Sequence, residues 1–188
     1  MKKIVIFASG SGTNAEKIIL HFKNNTLGNV VAVFANNQHA KVLERAINHA
    51  IPAVTFNKEE LNNGGVLEKI NTIQPDLIVL AGFLLKFPSD IIAAYPNKII
   101  NIHPALLPKY GGKGMYGMHV HQAVLENKEK ETGITIHYVN EHYDEGAIIA
   151  QHSVAIENCT TAEEIAQKVH ELEHEYFSLE IEKLISNH

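Results

Sequence analysis

The sequence predicts an α/β fold: a doubly wound, mostly parallel sheet with an antiparallel strand pair near the C-terminus and a long final helix. Three observations carry this reading. Short, β-rich apolar runs recur between residues 4 and 102 without polar alternation, and strands of that kind are buried on both faces, as in parallel sheets. Segments of helical period separate those runs, which is the alternation of an α/β domain. Beyond residue 131 two further runs lie only a few residues apart, a connection suited to an antiparallel pair rather than a crossover.

Residues 4–7 form the first strand and 15–22 the first helix. A strand at 30–34, a helix at 42–49, a strand at 54–56, a helix at 66–73, a strand at 77–80, a helix at 91–94 and a strand at 99–102 follow in turn. A glycine-rich segment, 111–117, leads into a short helix over 119–127. Strands at 132–139 and 147–154 are joined through residues 140–146. Thr161-Ala162-Glu163-Glu164 then has the spacing of a capping box, in which a hydroxyl and a carboxylate three residues apart satisfy each other's free N–H groups. It opens a last helix running to about residue 185. With no repeat or linker in the pattern, residues 1–188 read as one domain.

Composition narrows the function. Of 188 residues, 45% are hydrophobic and 20% charged, enough apolar material for an ordinary core. A formal charge of -5, with no basic run longer than Lys2-Lys3, argues against a nucleic-acid partner. Cys159 is the single cysteine, which excludes an intramolecular disulfide framework and suits a reducing cytoplasm. The first apolar run is too short for the core of a signal peptide, and none approaches the roughly 18 residues that span a bilayer. A cytoplasmic protein with no membrane partner is the expectation.

Asn101-Ile102-His103-Pro104 ends the fifth apolar run. On a strand, residues i and i+2 share a face, so Asn101 and His103 project side by side while Ile102 turns into the core. Pro104 keeps His103 out of the helical region. An amide and an imidazole then face one reaction centre, although a strand end with two solvated polar residues has the same spelling. Asp144, in the turn between the two late strands, would favour a charged imidazole if that turn folds beside His103.

Gly10-Ser11-Gly12-Thr13-Asn14-Ala15 lies between the first strand and the first helix and matches the Gly-x-Gly-x-x-Ala form of a dinucleotide loop. Glycines let the backbone approach a phosphate, and free N–H groups at a helix start favour the anion. A dinucleotide site also needs an acid at the end of the second strand, where this chain has Ala35-Asn36-Asn37. A terminal monophosphate, held by the side chains of Ser11, Thr13 and Asn14, fits better than NAD, with Thr13 or Asn14 doubling as helix cap; a ligand-free tight turn is the plain alternative. His170-Glu171-Leu172-Glu173-His174 is a literal zinc-protease signature, two histidines one helical turn apart with Glu171 as base. Only fourteen residues follow His174 to supply a third ligand, so no metal is expected and a zinc protein is a remote alternative.

Four segments in this order resemble the phosphoribosylglycinamide formyltransferase family, the folate-dependent enzymes of purine synthesis. They are Ala8-Ser9-Gly10-Ser11-Gly12-Thr13-Asn14, Leu80-Ala81-Gly82-Phe83, Asn101-Ile102-His103-Pro104-Ala105-Leu106-Leu107-Pro108-Lys109-Tyr110 and Tyr143-Asp144-Glu145-Gly146. The resemblance spans essentially the whole chain. It implies small-molecule partners, glycinamide ribonucleotide and the co-substrate 10-formyltetrahydrofolate, whose formyl group passes to the ribonucleotide's primary amine. Asn101 and a protonated His103 are then the expected oxyanion donors, with Asp144 raising the imidazole pKa and ordering the water that moves protons. Ser11, Gly12, Thr13 and Asn14 are expected on the substrate phosphate and Glu173 on its ribose. Leu84, Leu85, Lys86 and Phe87, with Asn101, Asn140 and Glu141, are expected around the folate. The chain departs from the family at Leu85, where an arginine is common; Lys86 is the substitute, and residues 111–117 form a longer segment than in many relatives.

A folate deformylase is the nearest rival and usually has an extra N-terminal domain. Formyltransferases acting on methionyl-tRNA add a C-terminal domain and basic surface, and those acting on sugar nucleotides differ in the first loop. A phosphate-binding module without turnover is the non-enzymatic alternative. A monomer or homodimer is expected.

Overall fold

The structure, a computed structural model, describes residues 1–187. The chain divides into two compact units, one of Met1–Ile100 with the chain from Ile181 onward, the other of Asn101–Glu180.

The first unit runs β1 (Lys2–Ala8), α1 (Thr13–Phe22), β2 (Gly28–Ala35), α2 (Lys41–Asn48), β3 (Ala53–Thr55), α3 (Lys58–Asn62), α4 (Gly65–Ile73), β4 (Leu77–Leu80) and α5 (Ser89–Ala94). β1 pairs in parallel with β2 and with β4, and β2 with β3. Ile4, Val5, Ile6 and Phe7 are each 0% exposed, which is why this run carries no polar alternation: both faces of β1 are covered. At its end Phe7 stacks on Phe34 at 4.8 Å and meets Phe83 and Phe87 edge-on. Burying each such ring contributes about 1.5–3 kcal/mol. The chain winds outward from β1 to β3 and returns to the other side for β4. The β1/β4 boundary is therefore a topological switch point, beyond whose strand ends ligands of such sheets bind.

Helix α3 has no counterpart among the segments read from the sequence. Asn57 creates it: its side chain accepts from the Glu60 amide at 2.8 Å, and Glu60 accepts from the Asn57 amide at 2.9 Å.

β5 (Ile99–His103) begins in the first unit and ends in the second, which continues with α6 (Met118–Glu126), β6 (Glu131–Tyr138), β7 (Ile148–Ala155) and, as far as Glu180, α7 (Ala162–Ser186). β6 and β7 pair antiparallel, as their short connection requires. A side chain at Gly146 would overlap the Tyr138 carbonyl, and one at Gly133 would overlap that of His152; only glycine permits these two backbone approaches. At the start of α7 the Glu164 amide donates to Thr161 Oγ1 at 3.2 Å and the Thr161 amide donates back to the Glu164 carboxylate at 3.2 Å, the capping box read from sequence.

Strand order in the sheet is β3-β2-β1-β4-β5-β6-β7. Predicted boundaries hold to within about two residues; β5 runs one residue further than expected, so Asn101 and His103 both lie on the strand. No helix among the described residues is long and apolar enough to cross a membrane.

Candidate active site

In the first unit the chain leaves β1 and turns through residues 9–12 into α1. Gly12 is the N-cap, in the left-handed region at φ 72, and no side chain caps the helix. The expected cap at Thr13 or Asn14 is thus corrected. The Gly12 carbonyl already accepts from the Glu16 amide at 2.9 Å, so Thr13 is the first helical residue and the cap falls to the one residue that takes positive φ at no steric cost. A Cβ there would also overlap Val42. Ser11 is exposed, its carbonyl held from below by Arg45 Nε at 2.8 Å, while the same guanidinium pairs with Glu16. Ser9 Oγ donates to Asn36 Oδ1 at 2.7 Å and accepts from the Leu84 amide at 3.0 Å. Asn36 stands where a dinucleotide site needs an acid, and its carbonyl is committed to Ser9. Of the expected folate residues in this unit, Leu84 and Lys86 are exposed and Leu85 is half-buried. Phe87 is 4% exposed and packed on Phe7.

The second unit brings Asn101, His103 and Asp144 together, and adds His137. Asp144 Oδ2 lies 3.6 Å from His103 Nδ1, and Oδ1 lies 3.6 Å from His137 Nε2. The Gly112 amide donates to Asp144 Oδ2 at 2.9 Å. His103 Nε2 is 2.7 Å from the Tyr110 carbonyl, and a carbonyl only accepts, so Nε2 carries the proton. At 3.6 Å the Nδ1–Asp144 approach is longer than a hydrogen bond. It leaves Nδ1 as the proton-accepting nitrogen of the neutral ring. By the same logic His137 Nδ1, 2.9 Å from the Tyr138 carbonyl, carries a proton. Asn101 Nδ2, 3.2 Å from His137 Nε2, then donates one N–H to that nitrogen and keeps the other.

Sequence reasoning expected Asp144 to hold His103 protonated. Burial is the larger influence and pushes the His103 pKa below its ordinary value; Asp144 and the Tyr110 carbonyl push it up, His137 pushes it down, and the net direction is down. The ring is 3% exposed, and desolvation disfavours the charged form. For Asp144 burial acts upward, but His137, His103 and the Gly112 amide together outweigh it and hold the carboxyl below the usual range. The resting pair is a neutral imidazole facing a carboxylate.

Thr135, 0% exposed on β6, fixes the segment after His103: its hydroxyl donates to the Ala105 carbonyl at 2.7 Å and accepts from the Leu107 amide at 3.0 Å. Gln151 donates to the Leu107 carbonyl at 3.0 Å. Thr135→Val leaves two buried backbone groups without this partner and lowers stability by about 1–3 kcal/mol, read as a lower denaturant midpoint at unchanged slope; an unchanged midpoint would show that Gln151 alone holds the segment. Thr135 and His137 repeat on β6 the polar i, i+2 pair of Asn101 and His103. That spacing was the available signal for His137, which sequence reasoning passed over.

Asn140 and Glu141 are exposed in the turn before Asp144, and Asn140 Oδ1 accepts from the His142 amide at 2.9 Å. On α7, His170 Nδ1 bonds Glu173 Oε2 at 3.0 Å. The His170 and His174 rings lie 4.0 Å apart, on one helix face as their spacing requires. Among the described residues no group of three or more His, Cys, Asp or Glu side chains is arranged to hold a metal ion.

Residues 2–181 match the family model described as formyl transferase. Two curated relatives are named phosphoribosylglycinamide formyltransferase. The chloroplastic protein of Arabidopsis thaliana is 38% identical over 94% of this chain and 63% of its own length. That of Bacillus subtilis (strain 168) is 36% identical over 98% of this chain and 95% of its own. The chain thus spans less than two thirds of the plant relative. Among solved structures, glycinamide ribonucleotide transformylase 1 from Symbiobacterium toebii superposes with a TM-score of 0.91 at 28% identity, covering 100% of this chain and 89% of the other. Phosphoribosylglycinamide formyltransferase from Bacillus halodurans gives 0.88 at 37% identity, with 98% and 96% covered.

Proposed function

Because the chain belongs to the formyl transferase family, we propose that it transfers the formyl group of 10-formyltetrahydrofolate to the primary amine of glycinamide ribonucleotide, a step of purine synthesis in the cytoplasm. The observation that carries the reading is the cluster of half-buried Asn101, buried His103 and half-buried Asp144, in which a neutral imidazole turns its proton-accepting nitrogen toward a carboxylate. The relatives' names support the substrates.

In this reading the amine attacks the formyl carbon, and the carbonyl oxygen gains charge. The Asn101 N–H not used by His137 meets that oxygen, a preorganised donor that needs no reorientation. The amine gives up its proton as the new C–N bond forms; His103 takes it at Nδ1, and Asp144 stabilises the imidazolium. The proton then passes to N10 of the folate as the formyl carbon–N10 bond breaks, so formyl group and proton exchange places between the two amines. Once charged, His103 also adds its field to the stabilisation of the oxygen. Ser11, Gly12, Thr13 and Asn14 are assigned to the substrate phosphate and Glu173 to its ribose. Leu84, Leu85, Lys86, Phe87, Asn140 and Glu141 are assigned to the folate, whose pterin edge suits backbone groups.

The test is the absorbance change on mixing the protein with 10-formyltetrahydrofolate. The expected result is deformylation only when glycinamide ribonucleotide is present. Deformylation without it identifies a hydrolase, and no reaction in either tube, with both ligands intact, removes the transferase reading.

A further inference from the structure

Tyr110 takes no part in the chemistry proposed above, yet its backbone and the next residues hold both partners of the central pair. The Tyr110 carbonyl receives His103 Nε2 at 2.7 Å, and two residues on the Gly112 amide reaches Asp144 Oδ2 at 2.9 Å. Tyr110 is itself in the left-handed region, at φ 57, a conformation that a bulky residue keeps only where its surroundings impose it. The Tyr110 hydroxyl donates to Glu129 Oε1 at 2.8 Å, and Lys109 Nζ meets the same oxygen at 2.9 Å. Glu129 lies in the turn between α6 and β6, where its backbone amide is bonded to the Val124 carbonyl at 3.3 Å.

We propose that the Tyr110–Glu129 bond is a positioning device for the reaction: it clamps the Tyr110 carbonyl on His103 Nε2, fixing the tautomer that leaves Nδ1 open toward Asp144. Which nitrogen of a histidine bears the proton is set by the partner of the other nitrogen. Without the clamp the carbonyl is free to leave. The ring is then free to place its proton on Nδ1, against Asp144, and in that tautomer it accepts nothing from the amine. Tyr110 and Glu129 are positioning residues; neither touches a reacting atom. Its kinetic consequence rests on His103 as proton acceptor; its structural content does not.

Two variants and two readouts separate these levels. In 15N NMR of the imidazole, wild-type His103 is expected as the Nε2–H tautomer. Tyr110→Phe and Glu129→Gln are expected to give a mixture and to lower the His103 titration midpoint, because the carbonyl bond is one of the influences that raise it. The other groups acting on this ring are Asp144 and His137, and His121 is in turn acted on by it; both variants leave all three in place. In turnover, kcat is expected to fall about 10-fold with KM for both substrates nearly constant, the scale of losing an orienting contact. A wild-type ring protonated on Nδ1 overturns the proposal. So do variants that melt earlier but keep the wild-type tautomer and midpoint, since that is what a structural bond alone would do. A tautomer shift with kcat unchanged upholds the clamp and refutes His103 as proton acceptor.

Discussion

His103→Ala lowers kcat by roughly 10²–10⁴-fold, the range of a positioned acid–base group, while the protein stays folded. The ring makes one hydrogen bond to backbone, to Tyr110, so its removal orphans one acceptor and opens a small polar space. The accompanying pH dependence has a definite sign. A histidine whose folded pKa lies below 6.5 binds protons less readily than in the unfolded chain. Its contribution to stability is present above 6.5 and lost as pH falls. In the proposed reaction the neutral ring is the acceptor, so activity is expected to follow the same direction: kcat/KM has an acid limb with a midpoint below 6.5. Asp144 raises the His103 pKa, so Asp144→Asn moves that limb to still lower pH, besides depressing the rate by removing the partner of the imidazolium. A limb that moves to higher pH, or a His103→Ala protein with wild-type kcat, removes His103 from the mechanism.

Gly146→Ala is the second large effect, and it acts through backbone. The added Cβ overlaps the Tyr138 carbonyl oxygen and stands 2.7 Å from its carbon. No rotamer relieves a clash between two main chains, so the neck of the β6–β7 hairpin must open. The Tyr138 amide bond to the Ala147 carbonyl, 2.9 Å long, lies at that neck. Overpacking of this kind costs about 1–3 kcal/mol. The functional loss is larger than the loss of stability suggests, because Asp144 sits two residues earlier in the same turn, at φ 57, and is held by single contacts to Gly112, His103 and His137. Thermal denaturation with kcat on the same sample is the check. Activity that survives in proportion to the folded fraction would show that the Asp144 turn is independent of the hairpin neck.

The parts of the fold that were legible in the sequence are those set by the chain's own periodicity. The uninterrupted Ile4-Val5-Ile6-Phe7 run could only be a strand covered on both faces. Thr161 and Glu164 spelled a helix start because capping is a local exchange of hydrogen bonds. In the site, Asn101 and His103 were visible because a strand puts alternate residues on one face; Asp144 was a candidate whose place beside His103 depends on how its turn folds, and the structure puts it 3.6 Å away. What stayed hidden depends on groups with no residue signature. The Tyr110 carbonyl and the Gly112 amide belong to every residue alike, and only the folded loop brings them to His103 and Asp144. The direction of the His103 pKa was misread for a related reason. Asp144 is a visible charge, whereas desolvation is a property of everything packed around the ring.

The chain has no tryptophan and 6 tyrosines, so its near-ultraviolet spectrum is a tyrosine spectrum. Burial and the neighbouring Glu129 carboxylate push the Tyr110 phenol up to about 12, later than an ordinary tyrosine at 10.0. Alkaline difference spectroscopy near 295 nm, where phenolate absorbs, therefore gives a late step assignable by its disappearance in Tyr110→Phe. The hydroxyl that anchors the carbonyl over His103 is thus also a chromophore, and the state of the clamp can be followed by light absorption without a label.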